Sequence, residues 1–364
     1  MARSRVYHST SSFPRVELRS VTLRDIAKQC GVSVATVSAV VNGAAWVSAP
    51  TRERVERAVA RRGYRTNQLA RGLRTRSGYA VGVIVSDLTN PFFTQIVRGL
   101  SHVLRESGRP ILLADSDHQF EIGELNLKTL LEGHIVGLVL IGDILREDTL
   151  RTFMRRQARI PVIAIERDYD IDGVSTLLVD SEQGAFTVTR HLIEQEYARI
   201  AMITGPHEGS GSATFGRAER YKGYCHAMAE AGRKVEPSLV VEGNFRYEGG
   251  RDAMRQLLAN RKRPDAVFAS NDMMAFGAME AIREAGLSVP GDVALAGWDD
   301  VPMTALATPP LTTVAMPKRQ LGVAAAELLN KQIPFAGKHM AVRQSFAAQL
   351  VIRESSVVGR TAFA

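Results

Sequence analysis

From residue 80 onward, short uninterrupted apolar runs recur at residues 80–85, 111–114, 136–141, 162–165, 200–203, 266–269 and 293–296. Helix-like stretches separate most of them, at the spacing of βα units. A run without polar alternation fits a strand buried on both faces. That in turn requires a parallel sheet with helices on either side. A stretch of about 280 residues is generous for one such sheet, so two similar α/β lobes are expected.

The residues directly after each run carry chemistry. Asp87 comes after the first, Asp115 after the second, Gly142-Asp143 after the third and Glu166-Arg167 after the fourth. Gly205 comes after the fifth, Asn271-Asp272 after the sixth, and Gly297-Trp298-Asp299-Asp300 after the seventh. Ligands of open α/β sheets bind beyond the carboxyl ends of the strands. Carboxylates and an amide there, with Phe92, Phe93 and Trp298 as flat apolar surfaces, suit a small polyhydroxylated or amide-bearing ligand. Each acid taken singly is better explained as a helix N-cap. The repetition is what argues for a pocket.

Ahead of these runs the charge changes. The chain of 364 residues has 46 Lys+Arg against 38 Asp+Glu. Residues 1–78 hold 15 of the bases and 4 of the acids, a net of +11, whereas residues 79–364 hold 31 and 34, a net of −3. A compact basic module joined to a near-neutral body has the electrostatic footprint of a nucleic-acid-binding head. A solvated basic arm would show the same charge, so the helical pattern has to decide.

Residues 1–20 have no apolar periodicity and read as a disordered basic extension. Thr22 then precedes Leu23, Ile26, Ala27 and Cys30, an i, i+3, i+4, i+7 stripe, with Asp25 at capping-box spacing and Gly31 as the stop. Ser33 is the expected N-cap of a second short helix over 34–41, with Val37 and Val41 inward. A third helix starts after Ser48, carries Pro50 in its first turn, and turns Val55, Ala58 and Val59 inward. Two short helices joined by a Gly-containing turn, then a third, make a helix-turn-helix. Outward Ser33, Thr36, Ser38 and Asn42 can donate to phosphates, which a plain helical bundle does not need. Arg52, Arg54, Arg57, Arg61, Arg62 and Arg65 add to the local field.

Other classes find little support. No stretch approaches the roughly 18 apolar residues of a membrane helix, and the start of the chain lacks an apolar signal region. Cys30 and Cys225 give neither a disulfide framework nor a metal cluster. The single Gly-rich loop, Gly205-Pro206-His207-Glu208-Gly209-Ser210-Gly211, lacks dinucleotide-binding spacing, and no phosphate-loop, zinc-protease or nucleophile-elbow motif occurs. The eight histidines show no evident catalytic pairing and read as surface or core residues. No catalytic residue, metal or cofactor is therefore expected. A periplasmic solute-binding protein would fit the body but not the basic head or the absent signal.

The segment from Val21 to Gly43, VTLRDIAKQCGVSVATVSAVVNG, resembles the lactose/galactose repressor (LacI/GalR) family of bacterial transcription factors. Further matches are Val47-Ser48, Thr51-Arg52, Tyr64, Asn90-Pro91-Phe92-Phe93, Gly184-Ala185, His191-Leu192-Ile193 and Arg220-x-x-Gly223-Tyr224. Asn271-Asp272, Gly297-x-Asp299-Asp300, Pro310-Leu311-Thr312-Thr313-Val314 and Val351-Ile352-Arg353-Glu354-Ser355-Ser356 complete the series in the family's order.

The resemblance implies an α/β protein: an N-terminal helix-turn-helix head, a hinge helix, and a two-lobed periplasmic-binding-protein-like body of parallel sheets with three crossovers. It divides the chain into 1–20, a head at 21–66, a hinge helix at 67–76 and an effector-binding and dimerisation body at 79–356. Within the body one lobe takes about 79–179 and 317–345, the other about 180–316 and 346–356. Val34, Ala35 and Ala39 fall where the family reads base edges. Many relatives carry arginine at the position of Ala39, so an Arg fork to guanine is missing here and contact with a thymine methyl becomes available.

The segment 66–74 matches the hinge helix. Nine residues are too few for a stable isolated helix, Gly72 costs about 1 kcal/mol relative to alanine, and Thr66 replaces the family's usual proline. The hinge is expected to become helical only on operator DNA, with Leu73 as the minor-groove wedge. The resemblance assigns DNA contacts to Thr22, Ser33, Val34, Ala35, Thr36, Ser38, Ala39, Asn42, Asn67 and Leu73. It assigns effector contacts to Phe92, Phe93, Glu166, Arg220, Asn271 and Asp299, with Glu166 where relatives usually have aspartate. Met316 and Ala315 stand at positions often polar in sugar-responsive members. The expectation is a cytoplasmic, nucleoid-associated homodimeric repressor of double-stranded operator DNA, controlled by a sugar, sugar acid or similar metabolite.

Overall fold

The computed structural model describes residues 21–41, 44–62, 79–206, 215–335, 337 and 340–357, and the chain forms two compact units, Met1–Thr75 and Arg76–Ala364. The extension 1–20, Asn42, Asn67, Leu73 with the rest of the hinge segment, and most of the glycine-rich loop lie outside the described residues.

In the first unit, α1 (Leu23–Cys30), α2 (Val34–Val41) and α3 (Ala49–Arg62) succeed one another closely. Thr22 closes a reciprocal capping box. Its backbone N–H and hydroxyl donate to Asp25 Oδ2 at 2.8 and 2.7 Å, and its hydroxyl oxygen accepts from the Asp25 N–H at 3.3 Å. Gly31 ends α1 at φ 60°, a left-handed position that costs a residue with a Cβ about 1–2 kcal/mol. The head core consists of Ile26, Ala27, Cys30, Val37, Val40, Val47, Val55 and Ala58. The expectation that Val41 faces inward is corrected: Val40 is buried and Val41 only partly so. From Val37, positions i+3 and i+4 lie on either side of the stripe, and packing against α1 and α3 selects i+3. For the same reason Val59 ends partly buried beside Ala58.

The second unit contains two parallel sheets. In the first, β1 (Val81–Val85), β2 (Ile111–Asp115), β3 (Gly137–Ile141), β4 (Val162–Ile165) and β5 (Val174–Val179) are joined at the edge by β11 (Arg343–Phe346), in the order β11-β5-β4-β3-β1-β2. In the second, β6 (Ile200–Thr204), β7 (Val240–Glu242), β8 (Ala266–Ala269) and β9 (Ala294–Ala296) run in the order β7-β6-β8-β9. All pairs within both sheets are parallel. A small antiparallel ribbon pairs β10 (Thr313–Ala315) with β12 (Gln349–Val351).

Each apolar run became a strand. The strands that the runs did not disclose were β5, β7, β10, β11 and β12. In β5 the polar Ser175 and Thr176 interrupt the apolar pattern, yet both are buried. In β11 the sequence Arg-Gln-Ser-Phe is mostly exposed at a sheet edge, so burial leaves it no apolar signature.

Helices α4 (Pro91–Glu106), α5 (Phe120–Glu132) and α6 (Glu147–Arg156) belong with the first sheet; α7 (Ser181–Glu194), α8 (Phe215–Glu230), α9 (Tyr247–Leu258) and α10 (Asp272–Glu284) belong with the second. The chain then returns, and α11 (Lys318–Gln332) packs on α4. Their approach needs glycine on both sides: a Cβ on Gly99 would sit 2.3 Å from the Arg319 carbonyl, and one on Gly322 2.0 Å from that of Ile96. A buried polar knot holds the last segment of the chain to the second lobe. His191 Nε2 and Thr312 Oγ1 lie 2.8 and 2.6 Å from Ser356 Oγ, and Ser355 Oγ donates to the Leu295 carbonyl at 2.6 Å.

Candidate functional site

In the head, the residues expected to meet DNA divide by what else they do. Thr22 and Ser33 are caps: the Ser33 oxygen accepts from the Thr36 N–H at 3.0 Å and lies 2.8 Å from the Thr36 hydroxyl. Val34 and Ala35 are exposed at the start of α2, and Val34 keeps 39% of its surface. An exposed valine there has no packing reason. Thr36 and Ser38 are half-buried, and Ala39 leans on the head core.

The arginines also divide. Arg52 donates to the Ala44 carbonyl at 2.5 Å, Arg57 pairs with Glu53 at 3.6 Å, and Arg62 donates to Gln29 at 2.9 Å. Arg54 and Arg61 have no side-chain partner among the described residues. Sequence reasoning passes over Trp46, which is 70% exposed in the turn between α2 and α3. A tryptophan in a polar turn is the available signal.

In the body, a cavity of about 80 Å³ lies where residues from both lobes converge. Ser86, Asn90, Phe92, Phe93, His118, Gly142, Asp143 and Glu166 line it from the first lobe, and Arg220, Phe245, Asn271 and Asp299 from the second. By the rule that one water needs roughly 10–15 Å³, the space holds several waters or a compact ligand. The lining residues stand after the carboxyl ends of strands in both sheets, the position where loops converge in open α/β folds.

Arg220 is the central cation. Its Nη1 donates to the Ser270 carbonyl at 3.0 Å, its guanidinium lies 4.6 Å from the centre of the Trp298 ring, and Nη2 lies 3.9 Å from Glu166 Oε2. Its Nε is buried without a hydrogen-bond partner among the described residues. The Trp298 indole N–H is satisfied by the Met316 sulfur at 2.9 Å, which gives a role to a methionine at a position expected to be polar.

Glu166 accepts the Val179 N–H at 2.7 Å. Burial pushes its carboxyl up to about 7, against the pull of Arg220 and the Val179 amide, and neighbouring Asp299 adds to the rise. Burial likewise pushes Asp299 up to about 7, against Arg220, Lys318 and a hydrogen bond from Asn90. Behind them Asp272 is raised by burial and by Asp299, while its oxygens accept the Thr313 hydroxyl at 2.6 Å and the Val301 N–H at 2.8 Å. Desolvation lowers Arg220, with the surrounding carboxylates opposing it.

Phe92 and Phe93 meet edge to face with centroids 5.0 Å apart. Phe93 in turn meets His118 edge to face, and His118 stacks on Phe245 at 6.1 Å and 25°. His118 comes from the loop after β2 and Phe245 from the loop after β7, so this stack joins the two lobes. Next to it the Asp117 carboxylate and the Arg246 guanidinium pair directly across the same gap. Burial holds the His118 imidazole below its usual range, against the pull of Asp87.

The backbone is strained at this place. Among described non-glycine residues with positive φ, Asp117, His118, Glu166, Phe245, Asp299 and Asp300 all lie at or beside the cavity. Such conformations cost about 1–3 kcal/mol each and persist where the surroundings demand them.

The six residues expected to contact an effector all line this cavity, but they differ in freedom. Asn271 has both ends engaged: its oxygen accepts the Met274 N–H at 2.8 Å, capping α10, and its amide donates to the Phe245 carbonyl at 2.7 Å. Asp87 and Asp115 brace loops instead. Asp87 accepts from Thr89, and Asp115 accepts the Leu88 and Asp117 amides. Arg167 is drawn away by Asp143 at 3.1 Å. The reading of all histidines as surface or core residues is corrected for His118, which lines the cavity; its position four residues after an apolar run is the signal. Among the described residues, no group of three or more His, Cys, Asp and Glu is placed to hold a metal ion, and no helix is long and apolar enough to cross a membrane.

Comparison with known proteins finds relatives of this chain. Residues 22–67 match bacterial regulatory proteins of the lacI family, and residues 189–356 match the periplasmic binding protein-like domain. The ribose operon repressor of Escherichia coli (strain K12) is 36% identical over 313 residues, covering 86% of this chain and 93% of that protein. Among solved structures, the transcriptional regulator CelR–cellobiose complex is 33% identical, covers 92% of this chain and 99% of its own, and has a TM-score of 0.68. The lac repressor dimer bound to operator and the anti-inducer ONPF is 27% identical, covers 93% and 100%, and has a TM-score of 0.79.

Proposed function

The chain belongs to the lacI family of bacterial regulatory proteins, DNA-binding transcriptional repressors regulated by small-molecule ligands, and from that premise we propose how its own residues divide the work. A homodimer acting in the cytoplasm carries two heads that bind a pseudo-palindromic operator, since two-fold symmetry requires two matching half-sites. The start of α2 enters the major groove. Val34 and Ala35 meet base edges there, Ala39 lies one turn further on, and Ser33, Thr36 and Ser38 line the phosphate side with Thr22 at the head of α1. Asn42, Asn67 and Leu73, outside the described residues, keep the DNA contacts expected of them: phosphate contact for Asn42, a place in the hinge segment for Asn67 and the minor-groove wedge for Leu73.

The effector is a compact sugar, sugar acid or similar metabolite held between the lobes. The observation that carries this reading is Arg220, buried between two buried carboxylates at strand ends of both sheets and flanked by aromatic walls. A guanidinium fork donates, carboxylates accept, and a hydroxyl does both, so vicinal hydroxyls can bridge them. Phe92, Phe93 and Phe245 supply apolar faces for the carbon skeleton. The cellobiose held by the CelR structure supports the sugar class. Lobe closure then shifts operator affinity by the effector's differential affinity for the two states.

The test is binding of the purified protein to its own upstream DNA with and without sugars, sugar acids and nucleosides. Release by one compound identifies an inducer and tightening a co-repressor. Specific binding that no compound alters would overturn the effector role assigned to the cavity.

A further inference from the structure

The lining of the cavity is of two kinds. Glu166, Arg220, Asn271 and Asp299 form a polar set, and Phe92, Phe93, His118 and Phe245 form an aromatic one. The four rings follow one another: Phe92 meets Phe93 at 5.0 Å, Phe93 meets His118 at 6.5 Å, and His118 stacks on Phe245 at 6.1 Å. This belt starts in the first lobe and ends in the second. Where it crosses, the neighbours in sequence mark the edge of solvent. The side chains of Asp117 and Arg246 are 52% and 41% exposed, whereas that of His118 is 19% exposed and lines the cavity. The His118–Phe245 stack is therefore a wall between the cavity and the outside.

Both halves of this wall are braced. The His118 N–H donates to the Ser86 carbonyl at 2.9 Å, which ties the loop after β2 to the end of β1. The Phe245 carbonyl accepts the Asn271 amide at 2.7 Å. Against the Phe245 ring stands Gly205, directly after β6, where a Cβ would sit 2.1 Å from the ring's Cζ. Any side chain there would displace the ring. His118 and Phe245 both hold left-handed backbone, at φ 57° and 62°, so each loop aims its ring at a local conformational cost.

The wall limits the length of an occupant. With one water needing roughly 10–15 Å³, a cavity of about 80 Å³ has room for about five to eight waters. One pentose or hexose ring with its hydroxyls takes about that room, and a disaccharide about twice as much. Resting on the reading of this cavity as the effector site, we propose that the effector is a single-ring sugar, and that the His118–Phe245 stack sets this limit by standing where a second ring would lie. The fold alone does not set it, since the CelR regulator of the same fold is solved in complex with cellobiose. A wall of this kind works by clash, which rejects the longer ligand without any added contact to the shorter one.

The test is isothermal titration of the full-length protein with D-ribose, D-xylose, D-glucose and D-galactose, and with cellobiose, maltose and lactose. The expected result is that at least one monosaccharide binds and that the disaccharides bind at least about 100-fold more weakly. His118→Gly removes one ring of the wall, and glycine takes the φ of that position without strain. In this variant a disaccharide should gain at least about tenfold, while the monosaccharide loses no more than the roughly tenfold that one aromatic contact is worth. Phe245→Gly opens the same wall from the second lobe, again at a φ that suits glycine. It should shift the ratio of disaccharide to monosaccharide affinity in the same direction.

A disaccharide that binds the wild type as tightly as its constituent ring overturns the size limit and leaves the effector reading standing. Selectivity for single rings that both variants retain unchanged overturns the role of the stack. Should no sugar bind the wild type or either variant, the sugar reading falls and the proposal falls with it. A monosaccharide bound by the wild type, with a disaccharide admitted only once the wall is opened, establishes both the limit and its cause.

Discussion

The head and the body use charge in opposite ways. Among the described residues of the head, Arg24, Arg54, Arg57, Arg61 and Arg62 are exposed, around a buried hydrophobic core of eight residues. The body carries few net charges but buries several of them around Arg220. Exposed charges act at a distance through solvent and are screened by salt, with a Debye length of about 8–10 Å at physiological strength. Buried charges act at contact, resist screening, and are set by desolvation. The same residue type therefore supplies attraction for a polyanion in one unit and a recognition geometry in the other.

The contrast is testable first by salt. Raising the salt from 50 to 200 mM should weaken operator binding by about 10³-fold or more if six or more phosphates are neutralised, with a log–log slope near −0.9 per phosphate. Effector binding over the same range should change less than about twofold. Equal salt dependence at both sites would break the comparison.

Asp299→Ala comes next. Removing one partner of the Arg220 cluster should cost effector binding about 100-fold or more, on the order of 3 kcal/mol, with operator binding retained. A normal effector titration for this variant would show that the cluster is not the recognition site.

A smaller effect is expected from the rim. Arg246→Ala removes the exposed pairing with Asp117, worth about 0.2–1 kcal/mol, and should speed effector release up to about fivefold. An unchanged dissociation rate would leave the His118–Phe245 stack as the contact that joins the lobes. In the head, Thr22→Ala removes the capping box and should lower head stability by about 1 kcal/mol, measured by urea unfolding of the full chain. The two tryptophans sharpen the comparison further, because exposed Trp46 and buried Trp298 belong to different units. Operator should shift the emission lost in Trp46→Phe, and effector the emission that persists in it.

Much of the head was legible in advance because its determinants are local. Thr22, Asp25 and Gly31 act within a few residues of one another, and the stripe Leu23, Ile26, Ala27, Cys30 needs only helical periodicity. The miss at Val40 and Val41 came from the one non-local choice, the packing of α2 on its neighbours. The central strands of the body were legible for a related reason: a strand covered on both faces is apolar at every position. The edge strand β11 and the polar β5 were not, since one is exposed and the other buries Ser175, whose hydroxyl accepts from Gln332 at 2.8 Å.

The residues of the pocket were visible as types at strand ends, but their duties were not. Glu166 and Asp299 face the cavity, whereas Asp87 and Asp115, identical in sequence logic, hold loops. His118 and Phe245, separated by more than a hundred positions, meet only because two sheets face each other and two loops adopt positive φ. By itself the sequence determined the helix-turn-helix, the basic head, the buried strands and the set of polar groups at their ends, because caps, periodicity and burial are written in neighbouring residues. The tertiary structure decided which carboxyls share Arg220, which side chains close the cavity, and how strongly burial raises Glu166 and Asp299. Those outcomes depend on distance and dielectric between residues far apart in the chain, and neither quantity exists until the lobes have folded.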